Sequence, residues 1–308
     1  MIVTPLCFFV LFCNNLVYSI KHVSLRNEIN TPEDGTLAFV CKHETEAERG
    51  NMNKRITAAT LRAAKTNQKP MVWLTAYDAG SARIAEEAGV DVILVGDSVG
   101  MVNLGYDSTI PVTVDDMILH TSAVVRGRNK AWVVCDLPFG AYQTSKEQAF
   151  ATSSLILQQT GCDAIKLEGG THMAETVRFL SERGIAVVGH IGMTPQSVKH
   201  FGSFKTRGSD ADEAQSIYDD ALAIAQAGAV ALVLECIPAE LAEKITDNIS
   251  TPTVGIGAGQ ACDAQVLVWH DVLGLSENTP PFAKPYTNLR EQAVTAISAW
   301  ADDVRDKT

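Results

Sequence analysis

Four short apolar segments of this chain each end in an acidic residue. They read Val-Ile-Leu-Val-Gly-Asp97, Trp-Val-Val-Cys-Asp136, Ala-Ile-Lys-Leu-Glu168 and Ala-Leu-Val-Leu-Glu235. Short, β-branched runs of this kind are typical of buried strands in a parallel sheet. Parallel α/β folds build their chemistry at the carboxyl ends of the strands. Four acids at such ends therefore predict a metal site and a base that share one cleft.

Asp97, Asp136 and Glu168 are the candidate metal ligands. Carboxylate oxygens are hard donors, and Mg²⁺ typically binds one or two carboxylates together with waters and substrate oxygens. No set of His and Cys residues with zinc spacing accompanies them. Helix capping or a surface salt bridge would explain a single strand-end acid, but three on successive strands favour a metal site.

Three further residues could complete the chemistry. Lys166 and Glu168 point to the same face of one strand. If that face is the barrel interior, the lysine needs a charged partner or an anionic substrate. If that face points to the helices, the lysine side chain extends outward to solvent. Glu235 ends a very apolar strand and is the candidate general base, with a helix N-cap as the alternative. His190 is a possible supporting residue, although a lone histidine is more often structural.

From Met71 onward, strand-like and helix-like segments alternate, and glycine follows many of the helices. The predicted strands are 71–77, 91–97, 131–136, 164–168, 186–190, 231–236 and 253–256, with a weaker one in 265–273. The predicted helices are 81–88, 114–126, 145–160, 172–183, 212–227, 238–249 and 288–305. Seven or eight β-α units favour a (β/α)8 barrel over an open doubly wound sheet. No Gly-x-Gly-x-x-Gly turn follows the first strand, which argues against a dinucleotide site.

Two helix starts carry specific signals. Ser145 is a predicted N-cap with Gln148 at the third helical position, which is the pattern of a reciprocal capping box. Pro238 is predicted at the first position of its helix, where a missing N–H leaves no helical hydrogen bond unmade.

The first fifty residues do not match the rest of the chain. An apolar stretch up to Ile20 is interrupted by Asn14 and Asn15, no Lys or Arg precedes it, and a polar stretch follows. We interpret residues 1–51 as an N-terminal extension outside the fold, with a mis-assigned start before Met52 favoured over a targeting segment. Residues 52–308 are predicted to form a single catalytic domain.

Composition narrows the class of protein further. The net charge of −11 over 308 residues leaves no basic stripe for nucleic acid. The N-terminal apolar stretch is too short and too interrupted for a membrane span. The seven cysteines form no Cys-x-x-Cys pair, which indicates reduced thiols. A cytoplasmic enzyme without nucleic-acid or membrane partners is expected, with a minor chance of targeting by the N-terminal segment.

Several motifs occur together and in order along the chain. They are Thr-Ala-Tyr-Asp78, Val-Gly-Asp97-Ser98-Val-Gly-Met, Asp136-Leu-Pro-Phe, Lys166-Leu-Glu168-Gly-Gly, Gly189-His190-Ile-Gly-Met-Thr-Pro-Gln-Ser-Val, Leu-Glu235-Cys-Ile-Pro and Gly255-Ile-Gly-Ala-Gly. Over about residues 56–286 this set closely resembles the ketopantoate (3-methyl-2-oxobutanoate) hydroxymethyltransferase family. The resemblance implies a (β/α)8 barrel of the phosphoenolpyruvate/pyruvate type.

The resemblance also implies a reaction. The family transfers a hydroxymethyl group from 5,10-methylenetetrahydrofolate to 3-methyl-2-oxobutanoate, which gives 2-dehydropantoate and tetrahydrofolate in pantothenate (coenzyme A precursor) biosynthesis. By motif, Glu235 would accept the C3 proton to form an enolate that Mg²⁺ stabilises. The implied Mg²⁺ ligands are Asp97, Asp136 and Glu168, and the implied contacts to the 2-oxo acid are Asp97, Ser98, Asp136 and Lys166. A homo-oligomer, a decamer by resemblance, is also expected.

Two alternatives remain beside this interpretation. A carbon–carbon lyase or phosphonomutase of the same superfamily would usually carry a Lys-x-Cys-Gly type signature, which the sequence lacks. A non-catalytic barrel that serves as a binding subunit would have no physical need for five costly polar groups in one cleft.

Overall fold

Eight parallel strands close into a barrel in the computed structural model, which describes residues 55–306. Each strand pairs with the next along the chain, and β8 closes the ring on β1. The strands are β1 Met71–Thr75, β2 Val92–Val95, β3 Trp132–Asp136, β4 Ala164–Glu168, β5 Val187–Gly192, β6 Ala231–Glu235, β7 Thr253–Ile256 and β8 Ala264–Leu267. The predicted (β/α)8 barrel is confirmed. The predicted extension at residues 1–51 lies outside the described residues.

One helix precedes the first strand, and the others connect the strands or follow the last one. They are α1 Ala58–Thr66, α2 Ala79–Glu87, α3 Val99–Val102, α4 Val114–Gly127, α5 Lys146–Thr160, α6 Ala174–Ser181, α7 Val198–Phe201, α8 Ala211–Gln226, α9 Ala239–Asn248, α10 Trp269–Val272 and α11 Leu289–Asp306. Short 3₁₀ turns at Thr171–Met173 and Pro195–Ser197 precede α6 and α7. No helix within residues 55–306 is long and apolar enough to cross a bilayer.

Strand alternation separates two hydrophobic cores. On β3, Val133 and Cys135 pack in the layer between the sheet and the helices, whereas Trp132 and Val134 pack in the barrel interior. Successive side chains of a strand point to opposite faces, so Asp136 continues the interior row. The barrel interior is therefore apolar along its length and acidic where this strand ends.

The same two-residue period brings side chains from three other strands into the interior. Residues two positions before Lys166, His190 and Glu235 belong to the interior cluster, namely Ala164, Val188 and Val233. Lys166 and Glu168 on β4, His190 on β5 and Glu235 on β6 therefore share one end of the barrel with the acid of β3. Lys166 is only 5% exposed, so the alternative in which it extends outward does not apply.

Several local predictions were wrong. The predicted strands 71–77 and 91–97 already end at Thr75 and Val95, and three other places also differ. The weak strand predicted at 265–273 ends at Leu267, and Trp269–Val272 is helical. Pro238 is the N-cap of α9 and not its first residue. The Ser145 N-cap is present, with its side chain accepting from the Gln148 N–H, but Gln148 Oε1 accepts from the Thr144 N–H, so the capping box is not reciprocal.

A buried carboxylate anchors the loop before β3. Glu86 at the end of α2 accepts hydrogen bonds from the N–H groups of Asn129 and Lys130, both at 2.6 Å, and from that of Ala131. The Glu86 side chain is only 9% exposed, so these hydrogen bonds are largely shielded from water. The carboxylate thereby satisfies three backbone N–H groups of this loop. The contact fixes where β3 begins, and β3 ends at Asp136.

We expect Glu86→Gln to destabilise the barrel by about 1–3 kcal/mol, because the amide replaces an acceptor oxygen with a donor that faces backbone N–H groups. The urea unfolding midpoint measures this loss. The matched control is Glu87→Gln on the adjacent, exposed residue, which should change stability by less than about 0.5 kcal/mol. Equal midpoints for the two variants would contradict the anchoring role.

Candidate active site

Asp97, Asp136 and Glu168, called here the carboxylate set, meet at the carboxyl end of the barrel. All three are at most 5% exposed. Asp136 and Glu168 end their strands, but β2 already ends at Val95. Asp97 therefore reaches the site from the loop, where its N–H donates to Asp136 Oδ2 at 3.0 Å. The loop turns tightly there.

Gly96 makes that turn possible. A Cβ at this position would lie 2.8 Å from Ser98 Oγ and 3.5 Å from Asp136 Oδ2. The half-buried Ser98 hydroxyl lies 2.9 Å from the Tyr77 hydroxyl. Ser98 thus lies beside the carboxylate set, with its orientation fixed by Tyr77 in the loop after β1.

Gln196, which sequence analysis did not identify as a site residue, forms hydrogen bonds with two members of the carboxylate set. Its side-chain amide donates to Asp97 Oδ2 at 2.8 Å and to the Leu137 carbonyl at 2.9 Å, and its backbone N–H donates to Glu168 Oε2 at 3.1 Å. It lies in the 3₁₀ turn Pro195–Ser197. The residue was part of a family motif, but no local pattern gave it a chemical role.

Tyr142 is a second residue that the sequence did not indicate. Its hydroxyl donates to Gln196 Oε1 at 2.7 Å and accepts from the Glu168 N–H at 3.1 Å. The buried Tyr142 therefore holds Glu168 on β4 and Gln196 after β5 in a fixed relation. Such buried, satisfied networks rigidify a site.

Lys166 is the cation inside this acidic cluster. Its Nζ lies 3.1 Å from Asp136 Oδ1 and 3.3 Å from His190 Nδ1. Burial lowers the pKa of this lysine, but the surrounding carboxylate charges outweigh burial and raise the pKa overall. The ammonium group therefore stays charged.

The carboxylate set carries more negative charge than one lysine balances. Burial, followed by repulsion from Asp136 and Glu168, raises the pKa of Asp97 to about 8. Burial also raises the pKa of Asp136, although Lys166 opposes the shift. Without a further cation, this site binds a proton near neutral pH; a divalent ion would restore the ionised carboxylates.

His190 lies between the carboxylate set and the predicted base. Its Nδ1 is 3.5 Å from Glu168 Oε1, and its Nε2 is 3.2 Å from Glu235 Oε2 in an ion-pair contact that lacks hydrogen-bond geometry. Burial and the Lys166 charge lower the pKa of His190, but the two glutamates outweigh them and raise it to about 9. The imidazolium form therefore links the two acids. The Glu235 side chain is 18% exposed and is therefore more accessible than that of Glu168, which is 4% exposed.

The donor set fits Mg²⁺ but does not form a complete ligand cage. Asp136 Oδ1 and Glu168 Oε1 are buried, and among the described residues they contact the cationic groups of Lys166 and His190 without accepting a hydrogen bond of good geometry. Within residues 55–306, no three His, Cys, Asp or Glu side chains already stand in metal-ligating positions. Two carboxylate oxygens that accept no hydrogen bond suit Mg²⁺, which keeps waters and substrate oxygens in its coordination sphere.

Comparisons with known proteins give close sequence matches over most of this chain. The family model for ketopantoate hydroxymethyltransferase matches residues 55–308. The 3-methyl-2-oxobutanoate hydroxymethyltransferase of Bartonella tribocorum is 54% identical over 256 residues, which cover 83% of this chain and 94% of the relative. The enzyme of the same name from Syntrophus aciditrophicus is 49% identical over 256 residues, with the same two coverages of 83% and 94%.

A more distant protein shares the fold. The solved structure of 2,3-dimethylmalate lyase, a member of the PEP mutase/isocitrate lyase superfamily, is 18% identical and aligns with a TM-score of 0.52 over 82% of this chain and 89% of that one. This likeness confirms the predicted type of barrel. The sequence matches confirm the predicted enzyme class, a hydroxymethyltransferase of pantothenate biosynthesis. The chain therefore belongs to the ketopantoate hydroxymethyltransferase family.

Proposed function

We propose that this chain deprotonates 3-methyl-2-oxobutanoate at C3 with Glu235 and adds the one-carbon unit of 5,10-methylenetetrahydrofolate to that carbon. The transfer also consumes one water: its oxygen becomes the hydroxyl of the new group, and both C–N bonds of the methylene bridge break as the two folate nitrogens take up protons. The products are 2-dehydropantoate and tetrahydrofolate. The observation that carries the proposal is the enclosed cluster in which Lys166 lies 3.1 Å from Asp136 and His190 lies 3.2 Å from Glu235. It provides sites for an anionic oxo acid, a cation and a base.

The carboxylate set would hold Mg²⁺. Asp136 Oδ1 and Glu168 Oε1 accept no hydrogen bond from the described residues, which supports direct contact with the metal, and the Gln196 amide holds the Asp97 carboxylate by a hydrogen bond. When bound, Mg²⁺ would stabilise the negative charge that develops on the oxo and carboxylate oxygens of the substrate.

The 2-oxo acid would contact Asp97, Ser98, Asp136 and Lys166. The Lys166 ammonium group is buried and charged, so it can attract the carboxylate of the substrate into the barrel mouth. The Ser98 hydroxyl is fixed by Tyr77 at 2.9 Å and can bond a substrate oxygen. These contacts orient C3 of the acid toward the base.

Glu235 is placed to take the proton. It ends β6, two residues beyond the interior Val233, so its carboxylate continues the interior row of that strand. The C3 proton moves to this carboxylate, and the electron pair left behind makes the nucleophilic enolate. The charged His190 orients Glu235 from the side of Glu168, which supports a positioning role for the histidine.

Self-association is part of the proposal. The C-terminal helix α11 has no buried residue, and an apolar stripe at helical spacing lies 58–65% exposed on it. The stripe consists of Val294, Ile297, Trp300 and Val304. An apolar face of this kind on a helix indicates a protein partner, and a second copy of the chain in a homo-oligomer fits it. A decamer is the form expected from the family resemblance.

A cytoplasmic location completes the proposal. The four cysteines that the structure describes, Cys135, Cys162, Cys236 and Cys262, are free thiols. Burial raises the pKa of Cys162 to about 11 and that of Cys236 to about 12. Inert, reduced thiols suit a reducing compartment.

The direct test supplies the purified chain with 3-methyl-2-oxobutanoate, 5,10-methylenetetrahydrofolate and Mg²⁺, and measures 2-dehydropantoate by mass spectrometry. We expect product that depends on all three additions. Product formation no faster than in a reaction without protein would reject the proposed function.

We expect Glu235→Gln to lose roughly two to four decades of kcat, the range for a positioned general base, while binding of the oxo acid largely survives. Steady-state kinetics and calorimetry of 3-methyl-2-oxobutanoate binding measure the two effects. Glu240→Gln, on the exposed start of α9, is the control and should keep the wild-type rate. A near-normal rate for the first variant would remove this residue from the mechanism.

We expect Asp136→Asn to weaken Mg²⁺ binding and oxo-acid binding together, each by roughly tenfold or more, because a buried charged ligand is lost. Calorimetric titration with Mg²⁺ in the presence and absence of the acid separates the two affinities. Asp247→Asn, at an exposed position on α9, is the matched control. An unchanged Mg²⁺ titration would count against the ligand role.

A further inference from the structure

A cavity of about 430 Å³ lies beside the carboxylate set. Buried Glu168 and Gln196 line one part of it, and the more exposed Phe201 and Arg207 line another. Its volume is within the range of small-molecule sites and exceeds what a five-carbon oxo acid fills. The proposed reaction therefore leaves most of this cavity for another ligand.

Resting on the proposed function, we propose that this cavity binds the pterin ring of the folate co-substrate. Asp220 would accept hydrogen bonds from the pyrimidine edge of the pterin, and Phe201 would contact the face of the ring. Neither residue is assigned a role by the oxo-acid chemistry.

The position of the cavity matches the reaction. It shares Glu168 and Gln196 with the cluster that would hold the oxo acid and Mg²⁺. Gly192 also lines it, and this glycine pairs with Glu235 in the register of β5 and β6. A pterin in the cavity would therefore carry its methylene group next to the carbon that the base deprotonates.

The aromatic ring of Phe201 provides a flat surface at the more exposed part of the cavity. The Arg207 guanidinium lies 4.0 Å from the centre of the Phe201 ring, in a cation–π contact. Glu213 forms an ion pair with Arg207 and also accepts from the Gly208 N–H at 2.6 Å. The ring is thereby held in place before a ligand arrives, which favours stacking of a planar heterocycle.

Asp220 is a carboxylate with one oxygen engaged. Its Oδ1 accepts from the Thr171 N–H at 2.6 Å and from the Thr171 hydroxyl at 2.8 Å. Among residues 55–306, no hydrogen bond reaches its Oδ2. The 2-amino group and N3–H of a pterin are adjacent donors, and a carboxylate is the complementary acceptor.

Gly170 leaves the space that the Asp220 carboxylate occupies. A Cβ on this glycine would lie 1.9 Å from the Asp220 Cγ and 2.1 Å from its Oδ1. Only a residue without a side chain lets the carboxylate from α8 lie against the loop after β4. The acid is thus a built part of the cavity wall.

The charge near the exposed part fits the rest of a folate molecule. Between residues 198 and 208 the chain carries Lys199, His200, Lys205 and Arg207 and no acid, in a protein with a net charge of −11. The glutamyl tail of a folate is anionic. A tail that leaves the cavity past Phe201 would meet this positive segment.

The first test compares two neighbouring aspartates of α8. We expect Asp220→Asn to raise the KM for 5,10-methylenetetrahydrofolate at least tenfold, with the KM for the oxo acid changed less than twofold. Asp219→Asn is the matched control, since Asp219 is exposed, bonds Gln215 and lies outside the cavity. Equal KM values for the two variants, or a parallel rise for both substrates, would overturn the assignment.

The second test guards against loss of fold in the first. Phe201→Ala should also raise the KM for the folate substrate several-fold without moving that for the oxo acid. Phe204→Ala, at an exposed residue of the same segment that does not line the cavity, should leave both KM values unchanged. If the two alanine variants behave alike, the cavity is not the pterin site.

A binding measurement separates this inference from the proposed function. Equilibrium dialysis of tetrahydrofolate against the wild-type chain, without oxo acid, should show saturable binding that Phe201→Ala weakens at least fivefold and Phe204→Ala does not. A wild-type chain that binds tetrahydrofolate in this way but forms no 2-dehydropantoate refutes the function and keeps the site. Catalytic turnover with tetrahydrofolate binding that neither Asp220→Asn nor Phe201→Ala alters keeps the function and refutes the site.

Discussion

Excess negative charge inside the mouth of the barrel is the constraint on which the rest of the site depends. Three carboxylates at most 5% exposed face two buried cationic groups, the Lys166 ammonium and the His190 imidazolium, so the negative charge is in excess. Isolated charges are costly to bury, and the pKa of Asp97 rises to about 8 as a result. A bound cation would neutralise part of this excess negative charge, and an anionic substrate would bridge that cation to Lys166. The electrostatic repulsion that opposes folding therefore favours binding of the cation.

The barrel makes this concentration of charge possible. Alternation along β3, β4, β5 and β6 places apolar side chains deep in the interior and polar ones at its end. Outside the cluster, Gln196 and Tyr142 satisfy the oxygens and N–H groups that a ligand does not need. The oxygens of Asp136 and Glu168 that they leave open are those proposed to meet the metal.

Much of this arrangement followed from the sequence because a strand has a two-residue period. The strands 164–168 and 253–256 were predicted to the residue, Lys166 and Glu168 share a face by parity alone, and Glu235 ends its strand as predicted. Asp97 lies two residues beyond β2, so its place depends on the turn at Gly96. Gln196 contacts Asp97, which lies 99 positions away in the sequence, and Tyr142 contacts Glu168, which lies 26 positions away. No local sequence pattern encodes contacts of this range. The helix at Trp269–Val272 was missed because a short apolar run fits either structure.

The central claim is that the carboxylate set holds a divalent cation against the oxo acid. The most direct measurement is anomalous diffraction from crystals of the protein grown with Mn²⁺ and 3-methyl-2-oxobutanoate. The account predicts one strong Mn²⁺ peak within bonding distance of Asp136 and Glu168, with the oxo acid beside it and near Lys166. A metal peak elsewhere, or an oxo acid bound at this site without any metal, would contradict it.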